Sequence, residues 1–228
     1  MDLKRIIKDP HYLALSIYVI LAIVCGIIYR NFLILFLGWN LILAGFVYFL
    51  SDVFIGLRKM NRSLWILIPV FILYILFFPN TIYVMTDFVH LQTYEFFIEY
   101  SSVYAYTLSD WVVLMMITLG ALLGAKFGVS SLKNMRSSLF GWMKKYYYIF
   151  LLGLFIISSI GIYIGRFIRL NSWDFHKIFE VIPDIFNRFD FFIGFVLIYV
   201  MIHITSYFVM SSFNKYGYNE INNTTEGL

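Results

Sequence analysis

Charge is what this 228-residue chain has least of: Asp, Glu, Lys and Arg make up 13% of it, about half the share of a soluble domain. With 61% hydrophobic residues, too little polar side chain remains to coat a water-exposed globule, and a soluble fold is excluded. Cysteine occurs once, as Cys25 inside an apolar run, which excludes an intrachain disulfide and a multi-cysteine metal site. A GxSxG elbow, a P-loop, a dinucleotide fingerprint, an HExxH pair and an internal repeat are all missing. The lack of a repeat argues against the common inverted-repeat transporter folds.

What the chain does have is six long apolar runs, at 12–29, 32–50, 64–78, 102–125, 146–169 and 191–213. Each reaches, or with its flanks approaches, the roughly 20 residues needed to cross about 30 Å of hydrocarbon. Helices are the spans such runs form, because lipid supplies no partner for an exposed backbone group. The expected fold class is all-α, a polytopic bundle of six transmembrane helices in a single membrane domain over 1–228, with interfacial helices on the outer face. Lys4, Arg5 and Lys8 before the first run resemble a signal peptide, but 12–29 is long for one and no small-residue cleavage site follows. It reads as an uncleaved first span.

Lys and Arg fall unevenly between the two sides. Lys4, Arg5, Lys8, Arg58, Lys59, Arg62, Lys126, Lys133, Arg136, Lys144, Lys145 and Lys215 share one, and Arg30, Arg166, Arg169, Lys177 and Arg188 the other. The first side is therefore expected in the cytoplasm, with both termini there. The formal net charge of +4 reflects this bias, and no aromatic-interleaved basic stripe points to nucleic acid. The basic connections carry nothing that looks chemical, and the polar tail 214–228 reads as a frayed end.

The outer segments, 79–101 and 170–190, are rich in aromatics, as suits a membrane interface. In the second, Ile178, Phe179, Ile182, Ile185, Phe186 and Phe189 recur at helical spacing, which predicts an amphipathic surface helix divided in two by Pro183. In the first, Asn80, Tyr83, Asp87 and His90 are spaced 3, 4 and 3 apart and form one polar stripe if helical, with Thr86 beside it. Pro79 fits the first position of a new helix whose free amides suit an anion. Asp87 and His90 are set to hydrogen-bond, the carboxylate orienting the imidazole for acid or base work, with Asp110 in reach. At the end of the fifth span Arg166 and Arg169, one helical turn apart, present two guanidinium forks to a phosphate or carboxylate, near Asn171, Trp173 and Asp174. The alternative is pairing of these arginines with Asp87, Asp110 or Asp174. His203 lies near the bilayer centre, where an ionisable group is a functional candidate. Asp87, His90, Asp110 and His203 lack the spacing of a zinc site, so no metal and no cofactor are expected. Gly120, Gly124 and Gly128, and Ser158, Gly161 and Gly165, are small-xxx-small patterns for close helix packing.

Phe78-Pro79-Asn80 through Tyr83, Thr86-Asp87 and His90-Leu91, together with Gly165-Arg166-Phe167 through Arg169 and Asn171-Ser172-Trp173-Asp174, resemble the domain-of-unknown-function 1361 family of bacterial integral membrane proteins. Where the family often reads Pro-Asn-Ala-Pro-Tyr, this chain has Thr81 and Ile82, so the second proline's constraint is missing. The resemblance implies a bacterial cytoplasmic-membrane protein and supplies no reaction. Three readings stay open. The first is a membrane enzyme acting on an anionic lipid or lipid-linked envelope substrate, with Arg166 and Arg169 clamping the headgroup and Asp87, His90 and Asp110 doing acid–base work. The second is a small transporter or lipid-handling protein in which His203 relays protons. The third is an accessory or assembly subunit whose polar network is structural. Membrane lipids are the expected partners.

Overall fold

Asp9 starts the first helix because its carboxylate accepts the amide of His11 at 2.8 Å, while Pro10 takes the first position, where its missing N–H costs nothing. In the computed structural model, which describes residues 9–98, 102–138, 145–170 and 178–225, this helix, α1, runs Pro10–Ile28. Arg30, at φ 49°, turns the chain sharply, and the Asn31 side chain caps α2, Phe32–Lys59. A second left-handed residue, Asn61, leads into α3, Leu64–Phe77, followed by the short α4, Asn80–Tyr83, and a 3₁₀ segment, Val84–Thr93. Then come α5, Leu108–Ser138, and α6, Tyr147–Tyr163, which widens into a π-helical turn, Ile164–Ile168. The last two are α7, Ile178–Asn187, and α8, Phe189–Thr225.

Six of these stretches are long and apolar enough to cross a membrane: Pro10–Ile28, Phe32–Lys59, Leu64–Thr93, Leu108–Ser138, Tyr147–Ile168 and Phe189–Ser211. The chain is an all-helical, multi-pass membrane protein, as its composition predicts. Several boundaries differ from expectation. The second helix continues past 50 to Lys59 and the fourth past 125 to Ser138, because the end of an apolar run does not by itself break the i→i−4 ladder. The fourth does not extend back through 102–107. There Ile98 and Ala105 donate to the Val103 and Phe96 carbonyls in a small aromatic turn, with Phe97 stacked on Tyr104 at 4.9 Å. Pro183 sits inside α7 without dividing it, since one lost i→i−4 bond leaves the rungs on either side in place. The polar tail is helical to Thr225.

The chain divides into two compact units, Met1–Ser138 and Leu139–Leu228. In the first, α2 is central and packs on α5, α1 and α3. Ile34, Leu37, Leu41 and Ala44 of α2 meet Val113, Ile117 and Ala121 of α5 in the core. Tyr18, Ala22 and Gly26, four residues apart, are buried on α1, Tyr12, Leu15 and Cys25 pack against the same core, and exposed residues such as Leu13, Ile20 and Ile27 form the outward face. Gly124 and Gly128 receive α4: a Cβ at 124 would lie 2.6 Å from the Thr81 carbonyl oxygen, and one at 128 would lie 2.9 Å from the Thr81 hydroxyl. In the second unit α6 and α8 share an aromatic core, with Tyr163 edge-on to Phe192 at 5.0 Å and Phe167 edge-on to Phe195 at 5.2 Å.

Gly124→Ala pushes a methyl against backbone and is expected to destabilise by about 1–3 kcal/mol. Gly153→Ala, whose methyl would meet nothing within 4 Å, should stay within about 1 kcal/mol of wild type. Thermal unfolding in detergent checks both, and equal melting temperatures for the two variants would contradict the close approach.

Candidate functional site

The 78–93 segment is shaped by its own hydroxyls and amides. Asn80 Nδ2 donates to the Phe77 carbonyl at 2.8 Å, Thr81 Oγ1 to Phe78 at 2.8 Å, Thr86 Oγ1 to Tyr83 at 2.7 Å and Thr93 Oγ1 to His90 at 2.8 Å. Each side chain takes the carbonyl three residues back, which favours the tighter i→i+3 geometry that the backbone adopts from Val84. This changes the expected stripe. At three residues per turn, the four-residue step from Tyr83 to Asp87 rotates the two about 120° apart, while Asp87 and His90 fall in one row. Nor is there an anion site at Pro79: the chain is already helical at Phe78, and the amides of Thr81, Ile82 and Tyr83 donate to the Phe78 and Pro79 carbonyls.

Asp87 has a relative exposure of 0%. Its Oδ2 accepts from Nδ2 of Asn40, buried on α2, at 3.0 Å. His90 lies in front, with a side-chain exposure of 41%, and its Nε2 is 3.9 Å from Asp87 Oδ1. That is ion-pair range and longer than a hydrogen bond. A fully enclosed carboxylate thus stands behind a half-exposed imidazole. Asp110 does a different job, its Oδ2 accepting the Glu95 amide at 3.1 Å and its Oδ1 the Ser109 hydroxyl at 3.0 Å. That ties the aromatic turn to the start of α5.

Arg166 and Arg169 belong to the second unit. Arg166 is half-buried in the π turn, while Arg169, exposed and at φ 62°, leaves the helix. A wider turn followed by a left-handed residue thus stands where the expected spacing assumed one α-helical turn. Asn171, Trp173 and Asp174 lie outside the described residues. His203 is buried between α6 and α8, where its Nδ1 donates to the Tyr199 carbonyl at 2.7 Å and its Nε2 accepts from the Ser158 hydroxyl at 2.9 Å.

Sequence reasoning missed two sets of residues. Asn40 was visible as a lone amide inside an apolar run, a signal in its own right. The second set lies at the other end of the first unit, where the basic connections looked chemically empty. Asp9 Oδ1 accepts from both the His11 amide and its ring Nδ1, each at 2.8 Å, and Oδ2 accepts from the Tyr48 hydroxyl at 2.8 Å. His11 Nε2 meets Ser130 Oγ of α5 at 2.8 Å. Beside them the Tyr12 hydroxyl donates to Asp52 at 2.9 Å, and Asn134 Nδ2 donates to Asp52 at 3.0 Å and to Ser51 at 3.1 Å. Burial by itself would raise the Asp9 carboxyl, but the hydrogen bonds from His11 and Tyr48 outweigh it and hold the group below its ordinary value. Apart from Asp9 and His11, which are two residues apart, the partners lie 39 to 119 residues apart in sequence, where no spacing rule joins them.

A family model described as a protein of unknown function, DUF1361, matches residues 39–216. No curated protein and no solved structure matches the chain.

Asn40→Ala removes a donor from an enclosed carboxylate and is expected to cost about 1–3 kcal/mol. Asn40→Asp, which sets a second carboxyl against Asp87, should cost at least as much. Melting of the two variants beside wild type checks this, and wild-type stability in both would show that the Asn40–Asp87 contact contributes nothing.

Proposed function

Because the chain belongs to the DUF1361 family of proteins of unknown function, which brings no reaction with it, we propose a function from the residues of this chain. It works at one face of a bacterial cytoplasmic membrane on an anionic lipid or lipid-linked envelope substrate. His90 transfers the proton and Asp87 positions the imidazole. The supporting observation is the pairing of an enclosed carboxylate with a half-exposed imidazole 3.9 Å away. A carboxylate in that place orients the imidazole and offsets the charge that develops on it during proton transfer. The anionic character of the ligand rests separately on Arg166 and Arg169 in their own unit, since arginine on the side disfavoured by charge bias calls for an anion. Tyr83, Thr86 and Asn80 line the same segment as the pair. A second reading, in which the polar groups only hold helices together, is favoured by the Asn40–Asp87 bond. The transport reading receives less support, because both ring nitrogens of His203 already bond within its unit.

The deciding experiment compares Asp87→Asn, His90→Gln and Arg166→Ala/Arg169→Ala with wild type at equal membrane abundance, with native mass spectrometry of bound lipid and envelope-lipid analysis of a deletion strain complemented by each. We expect an anionic lipid held by wild type and lost in the double arginine variant, and complementation lowered at least 10²-fold by His90→Gln. Full complementation by all three, with no lipid retained by wild type, would move the assignment to the accessory subunit. The proposed orientation has its own check. In a Cys25→Ser background, an impermeant maleimide should label Gln92→Cys in intact cells and Met60→Cys only after permeabilisation, and the reverse pattern would invert the topology.

A further inference from the structure

Asp9, His11 and Ser130 stand in the relation of acid, base and nucleophile. A carboxylate only accepts, so the ring nitrogen facing Asp9 Oδ1 at 2.8 Å, Nδ1, carries the hydrogen. In a neutral imidazole Nε2 is then the acceptor, and Ser130 Oγ, 2.8 Å from it, donates. The ring is held in this orientation from two directions. Tyr48 stacks on it with centroids 4.4 Å apart and an interplanar angle of 23°, and the same Tyr48 donates its hydroxyl to Asp9 Oδ2. His203 and Ser158 offer a comparison inside this chain. There the outer ring nitrogen faces a backbone carbonyl in place of a carboxylate, and histidine and serine are both buried. His11 and Ser130 are only partly buried.

We propose that Ser130 is an activated nucleophile, with His11 as its base and Asp9 as the positioning residue, and that its substrate is a carboxylic ester of a membrane glycerolipid. The depth supports that class. Ser130 lies 22 residues after Leu108, where α5 begins, which is about 33 Å along the axis. His11 opens the opposite end of α1. A hydrocarbon layer of about 30 Å places both at its boundary, the level at which ester carbonyls of glycerolipids lie. Ser130 sits mid-helix, so its own amide is committed to the helix and oxyanion stabilisation falls to side chains. Lys126 and Lys133, four before and three after it, share its face of α5 and are half-buried.

In the acyl transfer, Ser130 Oγ bonds to the ester carbonyl carbon while its proton passes to His11 Nε2. The tetrahedral oxyanion forms beside the lysine ammonium groups. Collapse breaks the carbon–oxygen bond to the glycerol, which leaves with the proton from His11. Water then attacks the acyl-serine, gives a proton to His11, and frees the fatty acid as the proton returns to Ser130 Oγ. No other reactant is needed. Asp9 and His11 precede the residues matched by the family model, so the assignment is made for this chain.

The test uses the full chain in mild detergent, incubated with a fluorophosphonate probe, with the labelled peptide identified by mass spectrometry and melting recorded for every variant. Expected are probe adduct at Ser130 in wild type, none at this position in Ser130→Ala, and labelling slowed at least 10²-fold in His11→Gln and measurably in Asp9→Asn, with all variants folded. In vesicles of phosphatidylcholine and phosphatidylglycerol, wild type should release fatty acid and Ser130→Ala should not. Folded wild type left unlabelled at Ser130, or His11→Gln labelled at the wild-type rate, would overturn the nucleophile assignment. Labelling without release of fatty acid from the vesicles would overturn the lipid-ester substrate. If Ser130→Ala does not fold, the comparison of His11→Gln with wild type decides by itself.

Discussion

Thr81 presses its carbonyl and its hydroxyl into the places that side chains would occupy at 124 and 128 of α5, and much of the first unit follows from that contact. Between helices in lipid there is no hydrophobic driving force, so dispersion and hydrogen bonding at short range must hold them, and small residues set how short the range is. With α4 against α5, the chain that continues from it carries Val84 and Asp87 into the interior. There Asp87 meets Asn40 of α2. A larger residue on the α5 face would hold α4 away, and the carboxylate with it.

Two carboxylates of this unit, Asp87 and Asp9 at its opposite ends, are satisfied in the same style. Asp87 takes a hydrogen bond from Asn40 and Asp9 takes one from Tyr48, so α2 contributes a neutral donor to each. A neutral donor stabilises an enclosed carboxylate without the desolvation cost of a second ion. The helix with the most neighbours thus also holds the polar register of the unit. One turn beyond Tyr48 the direction reverses, and Ser51 and Asp52 of α2 accept from the Asn134 amide of α5.

Fold class and span number were legible because composition and run length report directly on the solvent, and hydrocarbon admits few backbone solutions. The stripe at Asn80, Tyr83, Asp87 and His90 was half legible. Its residues are polar and close together, but whether they align depends on a period of 3.6 or 3.0, and Thr86 and Thr93 settle that through bonds to carbonyls that the sequence does not display. Arg166 and Arg169 meet the same limit, since a π turn ending in a left-handed residue cannot be read from an α-helical spacing. The Asp9, His11 and Ser130 cluster was not legible at all. Two of its members sit at the start of α1 and the third 119 residues later, and only the packing of α1 beside α5 joins them.

The Ser158–His203 bond sets the register of the α6–α8 pair. Most of what surrounds it is aromatic and aliphatic, and such surfaces slide past one another at modest cost. A slip of one turn, about 5.4 Å, would carry the serine hydroxyl out of reach of the imidazole and leave a buried ring nitrogen with nothing to accept. That polar contact ties an aromatic and aliphatic pair of helices to one alignment in which to rest, with a neutral serine hydroxyl as the imidazole's partner.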